Sequence, residues 1–183
     1  MATQQEPNMR GIETMAQFSI GDGRPVEDIC AAVAKLFEVR QHEVALLFVD
    51  RRMLRFLFPT ELRSAGAIPL TSSAVAARTV NTKRAELFNN FVSVQHSSIF
   101  ETVKLGTSDT ASNDPLTIQK MMSVPIMGQS GTVLGAIQIS RKGFDNRSCG
   151  PDFTPSDLSL LADTAMALGR LLPSIIEAAT RVQ

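Results

Sequence analysis

The stretch Ser123–Ser140, SVPIMGQSGTVLGAIQIS, decides the fold: two apolar runs are joined by a polar turn with glycine at 128 and 131. A strand sends alternate side chains to opposite faces, so a hairpin with one wet face alternates apolar with polar. This one does not alternate. Val124 and Ile126 point one way and Met127 the other; past the turn, Val133, Ile137 and Ile139 oppose Leu134 and Ala136. The β-branched residues and the glycine turn read as a hairpin in the middle of a sheet, with cover needed on both faces. Pro125 then calls for a bulge, because proline has no N–H for the ladder. Gly128–Gln129–Ser130–Gly131 is similar to a serine-nucleophile turn, but its spacing differs and a hairpin turn accounts for it.

Upstream, Pro25 suits a first helical turn, and Val26, Ile29, Cys30, Val33 and Phe37 recur at helical spacing, which predicts a helix over 25–39. Gly21 and Gly23 before it lack a full phosphate-loop fingerprint and read as a turn. From Glu43 the period drops to two: EVALLFV, a turn at 50–52, and MLRFLFP form a second hairpin, also apolar on both faces. A short strand around 68–70 follows. Ser72 or Ser73 then caps a helix through Val75, Ala76 and Val80. Residues 85–88 are extended, Asn89–Asn90 breaks them, and Ser97–Ser98 caps another short helix through Ile99, Phe100, Val103 and Leu105. KLGTSDTASNDPL, 104–116, is polar and turn-rich, the candidate mobile loop.

Downstream, Thr154–Pro155–Ser156–Asp157 opens a last helix with a cap, a first-turn proline and an acid. Leu158, Leu161, Ala165, Leu168 and Leu172 make a heptad-like seam. Pro173 leaves SIIEAATRV as either a kinked continuation or a second short helix.

At 183 residues with 44% hydrophobic content, the chain reads as one soluble domain, and its 18 basic and 18 acidic residues give no footprint for a nucleic acid. The first residues lack an apolar signal core and no run reads as a membrane span of about 20 apolar residues, so a cytoplasmic location without a membrane partner is expected. Cys30 reads as a buried hydrophobe and Cys149, in GFDNRSCGPDF, as an accessible loop thiol; neither has the spacing of a metal ligand. His42 and His96 have no acid partner nearby in sequence, so no catalytic residues are assigned.

The order helix, hairpin, strand, helix, strand, short helix, hairpin, long helix resembles the GAF domain, a small-molecule sensor module related in shape to PAS domains. IPLTSSAVAARTVNTKRAELFNN, SVPIMGQSGTVLGAIQISRK and FTPSDLSLLADTAMALGRLL carry the resemblance over residues 25–172, with 1–24 as a helical N-terminal segment and 173–183 as a helical tail. It implies an α+β fold: a central antiparallel sheet with terminal helices on one face and, on the other, a ligand pocket under short helices. Cyclic-nucleotide-binding members carry Asn-Lys, then Phe, then Asp-Glu; here Lys142, Phe153 and Asp157 match, but Arg141 and Leu158 stand in the other two places. The alternative is a structural Lys142–Asp157 pair clipping the last strand to the final helix. Neither cysteine falls where phytochrome-like members attach a bilin, and the several cysteines of the free methionine sulfoxide reductases of this fold are not visible.

The resemblance implies a stand-alone sensory module that binds a nucleotide or another metabolite through Phe56, Phe58, Ser73, Phe88, Asn89, Asn90 and Phe100, the phenylalanines being equally readable as core. It would form a homodimer through Leu161, Ala165, Leu168 and Leu172 and signal to an effector on another chain. The alternatives are a ligand-free dimerisation module and, ranked last, a redox enzyme of the same fold. The sequence names no cofactor.

Overall fold

In the computed structural model of the chain, the described residues are 25–64, 66–91 and 116–181. The segment 1–24, His96, Phe100, the short helix expected after Ser97 and most of the turn-rich loop lie outside them. The chain runs α1 (Pro25–Leu36), a 3-10 turn (Gln41–Glu43), β1 (Val44–Asp50), β2 (Met53–Phe58), a second 3-10 turn (Thr60–Leu62), β3 (Ala67–Pro69), α2 (Val75–Thr82), β4 (Glu86–Phe88), β5 (Thr117–Met127), β6 (Val133–Gly143) and α3 (Pro155–Arg181). The six strands form one sheet in the order β3-β2-β1-β6-β5-β4, with every neighbouring pair antiparallel. The arrangement is α+β.

The opening hairpin is β5–β6, closed by bonds from Gly128 N–H to Thr132 O at 2.8 Å and from Gly131 N–H to Gly128 O at 3.0 Å. It sits inside the sheet, and both faces are covered. On one face α1 and α3 pack on Val44, Leu46, Met122, Val124, Ile126, Ile137 and Ile139. On the other α2, the second 3-10 turn and Phe91 pack on Ala45, Leu47, Leu54, Phe56, Met121 and Ala136. Pro125 needs no bulge of its own: β4 reaches only as far as Ser123, so proline's missing N–H falls beyond that ladder.

Two bulges change which face several residues occupy. Leu46 pairs with Phe58 but Leu47 with Phe56, so Leu57 is an extra residue and both Leu57 and Phe58 turn toward the α1/α3 face. The expected placement of Phe58 beside Phe56 in a pocket is therefore corrected. Likewise Ile126 pairs with Gly135 and Met127 with Val133, which leaves Leu134 as the inserted residue. Leu134 packs with the α1/α3 cluster and Val133 with the other, the reverse of plain alternation. Gly135 leaves no room for a ligand, because a Cβ there would collide with the Leu47 carbonyl oxygen.

The seam on α3 is core. Leu161, Leu168 and Leu172 are 0% exposed and Ala165 2%, all against the sheet, which corrects their assignment to a dimer interface. One domain buries this stripe by itself because β5 offers nine consecutive buried positions, Ile118–Ile126, beneath the helices. Close approach is secured at Gly169, where any Cβ would strike the Met127 carbonyl oxygen. The helix continues through Pro173, and Ile175 is buried in the same cluster, so the tail beyond 172 is an extension of the domain's own helix. Pro155–Ala179 is long and apolar enough to cross a membrane, contrary to the sequence reading, but its apolar stripe is packed on the sheet.

Glu43, 5% exposed, ties the first helix region to β6. Its carboxylate accepts from the Arg40 guanidinium at 2.7 Å, the Arg40 N–H at 2.8 Å and the Lys142 N–H at 2.6 Å. Burial pushes the Glu43 carboxyl up, but these bonds outweigh it and hold it below the ordinary carboxylate range. His42, half-buried beside Arg40 and Lys142, is pushed below the ordinary imidazole value by burial first and those charges second.

Leu168→Glu is expected to unfold the protein, since it buries a carboxylate in the core, and Leu168→Ala to cost about 2–5 kcal/mol. Met166→Glu, at a position 60% exposed, should stay within about 0.5 kcal/mol of wild type in urea denaturation. Acid should weaken the fold by a defined route. A carboxyl with a depressed folded-state pKa stabilises above its ordinary value of 4.5 and loses that contribution as pH falls through the folded value. Wild type should thus exceed Glu43→Gln by about 2 kcal/mol at pH 7, with the gap closing below about pH 4 in parallel urea titrations.

Candidate functional site

Among the buried polar side chains of the hairpin, Ser123 in β5 and Gln138 in β6 are set directly opposite each other by the antiparallel register. The row continues on both sides, to Glu86 of β4 and Ala45 of β1. It crosses the sheet under α2, whose Val75, Ala76, Ala77 and Val80 are buried in the apolar cluster around it. Arg78 on α2 donates from Nε to Glu86, with the nearer carboxylate oxygen at 3.0 Å. Thr79 Oγ1 lies 2.7 Å from Ser123 Oγ, and Gln138 Nε2 donates to Ser123 Oγ at 3.1 Å.

The proton order in this chain is fixed by counting donors. Thr79 has one hydroxyl hydrogen, and the Val75 carbonyl, 2.8 Å away, can only accept it. Ser123 must then donate to Thr79 and accept from Gln138. Rotating the Gln138 amide by a half-turn would leave its oxygen facing the Ser123 hydroxyl oxygen with no hydrogen between them. The Gln138 nitrogen therefore faces Ser123, and Oε1 faces away. Thr79 and Ser123 are 0% exposed and Gln138 6%.

Aromatic side chains flank the row. Phe56 and Phe91 are buried in the α2-side cluster, while Phe88 is half-buried at its edge. The Phe88 and Phe91 rings meet edge to face at 6.0 Å, and the Arg78 guanidinium lies 5.5 Å over Phe88.

The expected polar anchors are placed differently. α2 begins at Val75 with Ala74 as its N-cap and no side-chain cap, so Ser73 is an exposed residue ahead of the helix; Ser72 Oγ accepts only a 3.4 Å bond from Ala74 N–H. Asn89 is a structural clip: its amide donates to Phe153 O and accepts from Phe153 N–H, both at 2.9 Å. Those bonds occupy the groups expected to hold a ligand. Asn90 is exposed. Asp157 closes a capping box with Thr154, through bonds of 2.7 and 3.1 Å, and no ion pair joins it to Lys142. The lysine clip of this region is instead Lys120, 2.8 Å from Asp152 and donating to Gly150 O.

The thiols stand apart. Cys30 lies in the α1/α3 core, where burial pushes its pKa far up. Cys149 is buried rather than accessible and donates to Asn146 O at 3.2 Å. Among the described residues no group of three or more His, Cys, Asp or Glu is placed to hold a metal ion.

Sequence reasoning missed Thr79, Ser123 and Gln138. A signal for two of them was present: a serine and a glutamine, each flanked by apolar residues in MMSVPI and GAIQI, on either side of one turn.

No protein-family model matches the chain, and no curated protein matches it. Solved structures do. The GAF domain of an Acinetobacter phosphoenolpyruvate-protein phosphotransferase overlays with a TM-score of 0.64 at 14% identity, covering 100% of this chain and 99% of that one. Free methionine-R-sulfoxide reductase from Neisseria meningitidis gives 0.62 at 13% identity, with 100% and 96% covered. A GAF sensor protein from Burkholderia vietnamiensis gives 0.56 at 13% identity, with 97% and 99% covered. At these identities the likeness speaks for the fold alone: the six-stranded antiparallel sheet, with α1 and α3 on one face and α2 on the other, is a GAF-like fold.

Proposed function

We propose that this chain is a sensory, regulatory GAF-type module that binds a small molecule on the α2-covered face of its sheet and passes the bound state to a partner protein. The observation that supports it is the Thr79–Ser123–Gln138 row, a set of uncharged buried polar groups in an otherwise apolar, phenylalanine-lined surface. Ligand sites have this composition, mostly apolar with a few polar anchors. The soluble, cytoplasmic setting expected from the sequence belongs to the same reading. So does homodimerisation, but α3 would offer its outward side, which carries Met166, because its leucines are inside.

We keep the module non-catalytic, although reductases share its fold. Sulfoxide reduction by thiols needs a nucleophilic thiolate near a resolving thiol. Cys30 is held as a protonated thiol in the α1/α3 core, on the sheet face away from Ser123 and Gln138, and the buried Cys149 thiol is occupied by Asn146 O.

The test is native mass spectrometry of protein purified from its host, followed by thermal melts with whatever mass is found. A ligand at a hundred times its Kd adds about 2.7 kcal/mol, which for a domain of this size raises Tm by about 5–10 °C. Protein that arrives empty and shows no shift across a metabolite panel would favour the ligand-free interaction module.

A further inference from the structure

We infer that Arg141 is a latch that makes the end of α1 follow the strap leading into α3, whether or not the α2 face takes a ligand. Arg141 stands on β6 opposite Lys120, and its guanidinium meets both segments at once. Toward α1, Nη1 donates to Glu38 O at 3.2 Å and Nη2 to Phe37 O at 3.3 Å. Toward the strap, the guanidinium lies 4.8 Å over the Phe153 ring. Gly150, at φ +104°, runs so close that a Cβ there would sit 3.2 Å from Nη1. The two contacts close two helix ends. α1 finishes in a left-handed turn at Glu38, φ 51°, with Val39 N–H reaching back to Ala34 O at 3.0 Å, and Arg141 puts a cation on the carbonyls beyond it, at the negative end of the helix dipole. Phe153 directly precedes Thr154, the cap of α3.

A static clamp would be built differently. The neighbouring cations each hold a carboxylate at close range, Arg40 on Glu43 at 2.7 Å and Lys120 on Asp152 at 2.8 Å. Arg141 has no carboxylate partner among the described residues, and its Nε is buried there without a hydrogen-bond partner. A buried donor left unmade costs free energy of the same order as the hydrogen bonds that Arg141 does make, so the closed position is only slightly favoured over one with the guanidinium in water. Arg141 is half-buried, and it can turn outward while the core side chains of α1 stay in place. Phe153 sets the balance. Its backbone is gripped by the Asn89 amide at 2.9 Å, and a ring that shifts from under the guanidinium takes away one of the two holds on Arg141, leaving the α1 carbonyls to be released in turn.

Asn89→Ala loosens Phe153 without touching Arg141 or α1, and hydrogen exchange at the Val39 amide reads the end of α1. With Arg141 in place, Asn89→Ala is expected to speed that exchange about tenfold. Arg141→Met, which keeps the apolar stem and drops the donors, should speed it as much by itself, and adding Asn89→Ala to it should change nothing further. In wild type, NMR relaxation dispersion should give the Arg141 Nε–H, the Val39 amide and the Thr154 amide one common exchange rate, a measurement that stands even if a variant does not fold. No dispersion at Arg141, unlike rates at the two helix ends, or the same Asn89→Ala effect with and without Arg141→Met would overturn the latch and leave Arg141 a fixed cap on α1.

Discussion

Every other element of this domain is keyed to the ladder between β5 and β6. β6 is paired on both edges, to β5 and to β1, and Gly135 lets β1 lie so close that no other residue would fit. α3 is seated on the end of β5 by Gly169 against the Met127 carbonyl. α2 is seated on its middle by Thr79 against Ser123. The turn before β1 is held to the end of β6 by Glu43. A shift of one residue in that ladder would move each seat to the wrong face, since side-chain direction has a period of two.

Much of this was legible. The hairpin, the doubled apolar faces, α1 and the Thr154 cap follow from period and turn chemistry, which are local, whereas the division of helices between the faces follows only from the resemblance to GAF domains. What was not legible depends on partners distant in the chain. The bulges at Leu57 and Leu134 show only in the pairing between strands, and nothing in MLRFLF or VLGAIQ announces an extra residue. A leucine stripe looks the same whether a sheet or a second helix covers it, so Leu161 to Leu172 could be read as an interface although they are core. Asn89 looked like a loop amide because the backbone it binds lies 64 residues away.

The polar row explains why α2 sits in one register. Eight residues with four of them apolar and buried could slide over a smooth surface, because the hydrophobic effect has no direction. Hydrogen bonds do. Arg78 to Glu86 and Thr79 to Ser123 fix both rotation and position, and because the chain from Gln138 to Val75 O has a single proton order, it has a single geometry.

The two faces of the sheet meet at Asn89. Phe88 belongs to the α2 side, while Phe153, gripped by the Asn89 amide, is buried on the α1/α3 side under the Arg141 guanidinium at 4.8 Å. The next residue, Thr154, caps α3. Asn89 also accepts at its own carbonyl from Asn146, so the loop between β6 and α3 is pinned at two points to the end of β4. In the sensory reading, a displacement of β4 or of the Phe88–Phe91 pair on the ligand side would reach the first turn of α3 through a rigid amide rather than through the sheet, whose ladder resists bending. The connection is short, made of side-chain amides bonded to backbone groups, and it leads to the first turn of α3.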